Sequence, residues 1–165
     1  MVRVVVDSIK VSLISQHRVV VLKEEDGERF LPIWIGPFEA DAITIGMQAI
    51  EMSRPLTHDL IKDMVGGLNG AISHIYLNDL QEDTFFAQIV IDLNGNRLEI
   101  DSRPSDAIAV AVRVNVPIFV SEGVLDQAGI LPSQEEEALT EEEKAKLAPF
   151  TDLVESLDLD SLGEE

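Results

Sequence analysis

The sequence predicts an α+β fold, a compact single domain in which mixed and antiparallel sheets are interleaved with helices, followed by an acidic, helical C-terminal tail. Three observations support this prediction. Short runs rich in valine and isoleucine, bounded by glycine, proline or Asp-Gly signals, are typical of strands. Other segments repeat apolar residues every three or four positions, as helices do. The two kinds of segment follow one another without strict alternation, which indicates mixed sheets.

The first third of the chain carries strand signals followed by two helix signals. Pro32 lies within an apolar run and indicates an edge strand or a bulge, because proline cannot donate a ladder hydrogen bond. Pro37 suits the first position of a helix, and Thr57 is a suitable N-cap for the next one, with Asp59 in its first turn. We predict strands at 2–12, 17–23 and 29–35 with a turn at 24–27, a helix from Pro37 that ends at Ser53-Arg54-Pro55, and a helix after Thr57.

The sequence of the rest of the domain predicts a three-stranded antiparallel meander followed by a central helix. Asn94-Gly95-Asn96 is a hairpin-turn signal. The segment 107–112 is apolar on all sides, which is typical of a buried helix. In the tail, Thr140 and Glu143 fit a capping box. The predicted elements are strands at 71–80, 84–93 and 98–101, a helix at 105–114 opened by Pro104, a strand at 117–121 and a short helix at 122–127.

Length and composition limit the kinds of protein this chain can be. Its 165 residues are about one domain, and 45% of them are hydrophobic, enough for a packed core. The absence of cysteine excludes a disulfide framework, a thiolate zinc site and a cysteine nucleophile. The longest stretch without a formal charge, from Asp63 to Asp79, is too short and too polar to span a bilayer, and the N-terminus lacks a signal-peptide core. We expect a soluble, cytoplasmic protein with no membrane partner.

The formal net charge of −19 is unevenly distributed. Residues 1–122 carry 10 Lys and Arg against 18 Asp and Glu, whereas residues 123–165 carry 2 against 13. Such a surface repels polyanions at long range, which excludes a basic nucleic-acid platform but leaves room for a small, local phosphate site. We divide the chain into a domain at 1–130 and an acidic, partly helical or flexible tail at 131–165, through which a protein partner could bind.

Two short segments, 53–59 and 101–106, echo each other. Each places Ser-Arg-Pro immediately before a predicted helix and an aspartate in the first turn of that helix. A helix N-terminus offers free N–H groups and a partial positive charge, and an adjacent arginine can bind the same anion through two hydrogen bonds. Acidic side chains at the same place are candidate ligands for Mg²⁺ or Mn²⁺. Capping and loop-bracing ion pairs are the alternative interpretation of the same residues.

Several side chains around these segments are candidates for chemistry. His58 is the best acid–base candidate, because an imidazole at a helix start can take a proton from water or a ribose hydroxyl. Arg113 follows Asp106 by seven residues, so both lie on one face of the predicted buried helix. We assign catalytic roles to His58, Asp59, Glu39, Asp101 and Asp106, substrate binding to Arg54, Thr57, Arg103, Ser105 and Arg113, and a divalent metal, without an organic cofactor, to Asp59, Asp101 and Asp106.

Four segments together resemble the bifunctional nuclease domain family. They are 31–36 (LPIWIG) with Glu39-Ala40, 54–59 (RPLTHD), 101–107 (DSRPSDA), and Arg113 with 117–120 (PIFV). The resemblance covers residues 1–130 in order. It implies cleavage of both DNA and RNA by a compact α+β domain that forms a homo-oligomer. A dimer is the default expectation, because two-fold symmetric dimers are the commonest homo-oligomers. Some relatives carry a C-terminal module that binds partner proteins, where this chain has its acidic tail.

Residue chemistry and resemblance combine into one hypothesis, a metal-assisted nuclease acting on nucleic acid through one or a few phosphate contacts. Arg54 and Arg103, with the two helix N-termini, would hold the phosphate, and His58 would act as general base or acid. Two alternatives remain open from the sequence. One is a non-catalytic anion sensor or adaptor, and the other is a hydrolase of a small phosphorylated metabolite.

Overall fold

A computed structural model describes residues 1–11 and 17–132, and within them the predicted mixed α+β fold is confirmed. The predicted C-terminal tail, including its capping box, lies outside these residues from position 133 onward. In chain order the elements are β1 (Val2–Val11), β2 (Arg18–Glu24), β3 (Phe30–Ile35), α1 (Pro37–Met47), α2 (Thr57–Gly67), β4 (Gly70–Gln81), β5 (Thr84–Leu93), β6 (Asn96–Ser102), α3 (Pro104–Val114), β7 (Ile118–Val120) and α4 (Glu122–Ala128).

The strands form one seven-stranded sheet in the order β3-β2-β1-β7-β4-β5-β6. All neighbours are antiparallel except β4 and β7, which run parallel, so the sheet is mixed as predicted. Pro32 lies in β3, an edge strand, where its missing N–H leaves no ladder bond unmade. Asn94 and Gly95 have φ values of 52° and 82°, the left-handed conformations that a tight hairpin turn requires.

Helix α3 runs through the centre of the molecule. It packs against α1 and α2 and against strands β4 and β5. Residues 107–111 are at most 1% exposed, as the all-apolar segment predicts. These side chains are small or β-branched, so neighbouring backbones can approach closely. Gly46 marks the closest approach of α1, because a Cβ there would lie 2.6 Å from Cγ2 of Val112.

The helix ends differ from the sequence predictions at two places. Helix α1 ends at Met47, earlier than predicted, and Ala49 takes a left-handed φ of 48°. Thr57 is the first helical residue rather than the N-cap, which is Leu56. Here the carboxylate of Asp59 accepts a hydrogen bond from the Leu56 N–H at 2.9 Å and performs the capping. None of the helices in the described part of the chain is long and apolar enough to cross a membrane.

Candidate functional site

Helices α1, α2 and α3 begin around one cavity of ≈350 Å³. Pro37 and Pro104 occupy the first turns of α1 and α3, where a missing N–H is tolerated and the fixed φ favours a helix start. Residues at the N-termini of all three helices line the cavity, so three partial positive charges lie close to it. The cavity is lined by Phe38, Glu39, Asp41, Ala42 and Ile45 from α1, by Leu56, Thr57 and His58 from α2, and by Arg103 and Asp106 from α3.

Arg103, the N-cap residue of α3, connects two carboxylates across the cavity. Its Nε donates to Oδ2 of Asp106 at 2.6 Å and its Nη2 to Oδ1 at 3.1 Å, a two-point hydrogen bond. Its Nη1 lies 3.0 Å from Oε1 of Glu39 in the first turn of α1. The Arg103 side chain is nevertheless 66% exposed, so its guanidinium remains accessible to an anion from solvent.

His58 and Asp106 form a hydrogen-bonded pair at the centre of the site. Nε2 of His58 lies 3.0 Å from Oδ1 of Asp106, and the histidine is only 7% exposed. Burial alone would raise the pKa of the Asp106 carboxyl, but the hydrogen bonds from Arg103 and His58 and the positive charge of Arg103 outweigh it, so the pKa lies below its ordinary value. Asp106 is therefore ionised at neutral pH and acts as an acceptor for the imidazole.

A second ion pair lies behind the cavity, outside its lining. Nε of Arg113, whose side chain is 5% exposed, donates to Oδ1 of Asp59 at 2.8 Å. Nη1 of Arg113 donates to the carbonyl oxygens of Ala42 and Ala109, so the guanidinium joins α1, α2 and α3. Burial raises the pKa of the Asp59 carboxyl, but the Leu56 N–H and Arg113 outweigh it, and the net pKa is lowered. In the structure these two predicted site residues brace the helices whose first turns line the cavity.

Three other predicted site residues do not line the cavity. Asp101 lies on β6, where its neighbour Ile100 pairs with Ile89, a core residue on the face covered by α3. Because successive side chains alternate between faces of a sheet, Asp101 belongs to the opposite face. Arg54 is exposed and makes no ion pair with the described residues, and Ser105 is buried in the first turn of α3.

The predicted metal ligands Asp59, Asp101 and Asp106 do not come together. No group of three or more His, Asp or Glu side chains within residues 1–11 and 17–132 is arranged to hold a metal ion. Glu39 and Asp106 are the carboxylates that meet at the cavity, bridged by Arg103. Two carboxylates fit the looser type of Mg²⁺ site, in which phosphate oxygens and water supply the remaining ligands.

The site also has an apolar part, which was not predicted from the sequence. Phe38, Ala42 and Ile45 share one face of α1, since they follow the i, i+4, i+7 spacing, and Leu56 adds an apolar group from α2. That spacing was visible in the sequence. What was not visible is that this face borders an open cavity rather than the core.

Fold and site together define a mixed α+β domain in which three helices begin at one cavity that holds a partly buried His–Asp pair and an accessible arginine. The family model of the bifunctional nuclease domain matches residues 20–133. An uncharacterized protein of Mycobacterium tuberculosis (strain ATCC 25618 / H37Rv) is 44% identical over 158 residues, which cover 93% of each chain. Bifunctional nuclease 1 of Arabidopsis thaliana is 32% identical over 111 residues, 65% of this chain and 34% of the plant chain. Bifunctional nuclease 1 of Oryza sativa subsp. japonica is 28% identical over 120 residues, 70% and 36% of the two chains.

The chain therefore belongs to the bifunctional nuclease domain family, as the sequence resemblance predicts. The matched region spans about a third of each plant protein, so the similarity does not extend to the other two thirds of those proteins.

Proposed function

We propose that this protein is a nuclease that hydrolyses phosphodiester bonds of DNA and RNA at the cavity where α1, α2 and α3 begin. One observation carries the proposal. Buried His58 lies 3.0 Å from the partly buried Asp106, and this pair adjoins an arginine whose side chain is 66% exposed. When water attacks a phosphodiester, a general base must take a proton from the water and a ligand must bind the phosphate. This site places both groups side by side.

His58 is the general base in this proposal. An ionised carboxylate can only accept, so in the neutral ring the hydrogen bond to Asp106 keeps the proton on Nε2. Nδ1 then keeps its lone pair, with which it takes a proton from the attacking water. As the water oxygen bonds to phosphorus, the bond between phosphorus and the leaving sugar oxygen breaks, and that oxygen takes a proton from the imidazolium or from solvent. Asp106 also stabilises the imidazolium that forms, because the two opposite charges are held at hydrogen-bond distance.

Arg103 is the phosphate ligand. Its planar guanidinium matches two phosphate oxygens, and the positive ends of three helices add to its attraction. Binding a phosphate requires Arg103 to exchange at least part of its pairing with Glu39 and Asp106 for the substrate. Those two carboxylates would then be available to a Mg²⁺ or Mn²⁺ ion, which supplies charge neutralisation at the phosphate when bound.

The charge of the chain is consistent with local recognition. Residues 1–122 carry an excess of eight acidic groups, so a long polyanion is repelled outside the cavity. The homo-oligomeric state and a tail-bound protein partner are further parts of the proposal that rest on the family resemblance. The acidic surface and the size of the cavity also favour a second candidate, a hydrolase of a small phosphorylated metabolite.

Cleavage assays with labelled oligonucleotides test the proposal. Single-stranded and duplex DNA and RNA are incubated with the full chain, with Mg²⁺ or Mn²⁺ or with EDTA. We expect cleavage by the wild type and at least about a 100-fold loss in Arg103→Gln, because the phosphate loses its bidentate ligand. Arg97→Gln, an exposed arginine on β6, is the matched control and keeps the wild-type rate.

Two outcomes contradict the nuclease proposal. Binding of oligonucleotides without turnover under all metal conditions supports a sensor or adaptor instead. Turnover confined to mononucleotides or other small phosphate esters supports the small-molecule hydrolase. Equal rates in Arg103→Gln and wild type remove Arg103 as the phosphate ligand.

A further inference from the structure

Phe38 is unusually exposed for an aromatic residue in this protein. The residue is 84% exposed, more than any other large hydrophobic residue of the described segments, and the next are Met1 at 68% and Leu68 at 66%. The four other described phenylalanines are all partly buried. Exposing so much apolar surface is unfavourable in water, so this position is one where a ligand would gain free energy by covering the ring.

The position of Phe38 ties it to the candidate site. It precedes Glu39 in the first turn of α1 and lines the same cavity as His58 and Arg103. Ile45, two turns further along α1, and Leu56, at the start of α2, line this cavity too. The cavity thus has a charged part, formed by Arg103, Glu39 and Asp106, and an apolar part that includes one exposed aromatic ring.

We infer that Phe38 is a stacking platform for the nucleobase next to the phosphate held by Arg103, and that the preferred substrate is therefore an unpaired nucleotide in single-stranded nucleic acid. This inference rests on the proposed function, since it assigns the phosphate to Arg103. The base would stack on the Phe38 ring while its phosphate occupies the charged part of the cavity.

The size of the cavity supports an unpaired nucleotide. A volume of ≈350 Å³ falls at the lower end of the range of about 300–1,000 Å³ typical of small-molecule pockets. Bases within a duplex are stacked on their neighbours and paired, so they cannot cover an isolated aromatic ring without leaving the helix. Single-stranded ends and loops present bases that are already free to stack.

The charge of the protein supports the same conclusion. Enzymes that track a duplex rely on a basic groove, and the acidic surface of residues 1–122 does not provide one. An aromatic ring can stack against any of the bases, so this interaction needs no positive charge and does not depend on the nucleotide sequence. A platform of this kind also suits a site that would accept both DNA and RNA, because stacking requires no hydrogen bond to the sugar or to the edge of the base.

Ligand binding tests the platform separately from cleavage. Adenosine 5′-monophosphate and ribose 5-phosphate carry the same phosphate and differ in the base. Isothermal titration of the wild type is expected to give about tenfold tighter binding of the nucleotide, within the range measured for base–aromatic stacking. Phe38→Ala should lose this preference while binding ribose 5-phosphate as the wild type does. Phe38→Tyr should retain the preference, because its ring also stacks.

Met64→Ala is the matched control. Met64 is another exposed apolar residue, 58% exposed on α2 and outside the cavity lining, so its truncation should leave the preference unchanged. In cleavage assays, the wild type should cleave a single-stranded oligonucleotide faster than the corresponding duplex. Phe38→Ala should lower the ratio of the single-strand rate to the duplex rate toward one.

The outcomes separate this inference from the proposed function. Equal affinity of the wild type for nucleotide and ribose phosphate, or an undiminished preference in Phe38→Ala, overturns the platform and leaves the phosphate site intact. No binding of either ligand, together with no cleavage, overturns both. Preferential cleavage of duplex by the wild type also contradicts the platform.

Discussion

His58 Nε2 and Asp106 Oδ1 lie 3.0 Å apart, although 48 positions separate these residues in the chain. Each belongs to one of the two echoing Ser-Arg-Pro segments, His58 at the start of α2 and Asp106 in the first turn of α3. The contact exists because α2 and α3 pack against each other and begin at the same end. The repeated sequence pattern thus corresponds to two helix starts that share one cavity.

Replacing Asp106 tests the pair directly. Asp106→Asn keeps the size of the side chain but removes the charge that holds the imidazole and Arg103. We expect kcat/KM for oligonucleotide cleavage to fall at least about 100-fold, because His58, the proposed general base, loses its orienting partner. Asp63→Asn, on the exposed surface of α2, is the control for an equal change in net charge. A loss of similar size in both variants would assign the effect to overall charge rather than to the pair.

The ion pair between the buried Arg113 side chain and the partly buried Asp59 predicts a large effect on stability. Arg113→Met leaves the Asp59 carboxylate without its charged partner and removes hydrogen bonds to two backbone carbonyls. We expect the free energy of unfolding in urea to fall by about 3 kcal/mol. Arg97→Met, which breaks an exposed ion pair with Glu99, should change it by about 0.5 kcal/mol or less. Similar values for the two variants would contradict the bracing role.

Gly46 predicts a steric effect where α1 meets α3. A Cβ at this position would lie 2.6 Å from Val112 Cγ2 and 3.0 Å from Arg113 Nη1. Gly46→Ala should destabilise the protein by about 1–3 kcal/mol, as overpacking does. Gly66→Ala on α2 is the matched change, since no atom lies within 4 Å of its Cβ, and it should stabilise by about 0.5 kcal/mol. Thermal or urea unfolding of both variants measures the difference, and equal effects would contradict the close approach.

Acid should destabilise the protein through carboxyls whose pKa values are lowered on folding. Asp59 and Asp106 both have pKa values below their ordinary 3.8. A carboxyl with a lowered pKa contributes stability that is fully present above the unfolded value, at about pH 5 and higher, and that is lost as pH falls through the folded value. The free energy of unfolding should therefore decline below about pH 4.5, with a smaller decline in Asp59→Asn. An identical pH dependence in that variant would contradict the assignment.

Much of the fold was predictable because it depends on local patterns. The Asn94-Gly95 turn and the apolar run in α3 each have one physical interpretation, and the structure confirms both. Pro32 allowed either an edge strand or a bulge, and the structure shows an edge strand. Ends of elements were less predictable. The N-cap of α2 is Leu56 rather than Thr57, because Asp59 performs the capping from inside the helix.

The site was only partly predictable, because its membership depends on tertiary geometry. Five residues that the sequence pattern indicated line one cavity: Glu39, Thr57, His58, Arg103 and Asp106. The position of Asp101 on the other face of the sheet follows from alternation along β6, which depends on the strand register. The ion pair of Asp59 with Arg113 behind the cavity depends on how α2 packs against α3. Their roles in chemistry stay predictions.

Salt dependence provides a test of local recognition. If the protein contacts one or two phosphates, the logarithm of its affinity for a single-stranded oligonucleotide should fall with the logarithm of salt concentration with a slope of about −0.7 to −1.4. Fluorescence anisotropy between low and physiological salt measures this slope. A slope of about −5 or steeper would require an extended basic surface and would contradict the account.

The proposal that His58 is the general base of a nuclease is tested most directly by two variants, His58→Gln and its control His74→Gln. His58 lines the cavity, whereas His74 lies on β4 with its ring against Phe119. Single-turnover cleavage of a labelled single-stranded oligonucleotide isolates the chemical step. Both variants must first be shown to have the same free energy of unfolding as the wild type. The account predicts at least about a 100-fold loss in His58→Gln and a wild-type rate in His74→Gln. An unchanged rate in His58→Gln would contradict it.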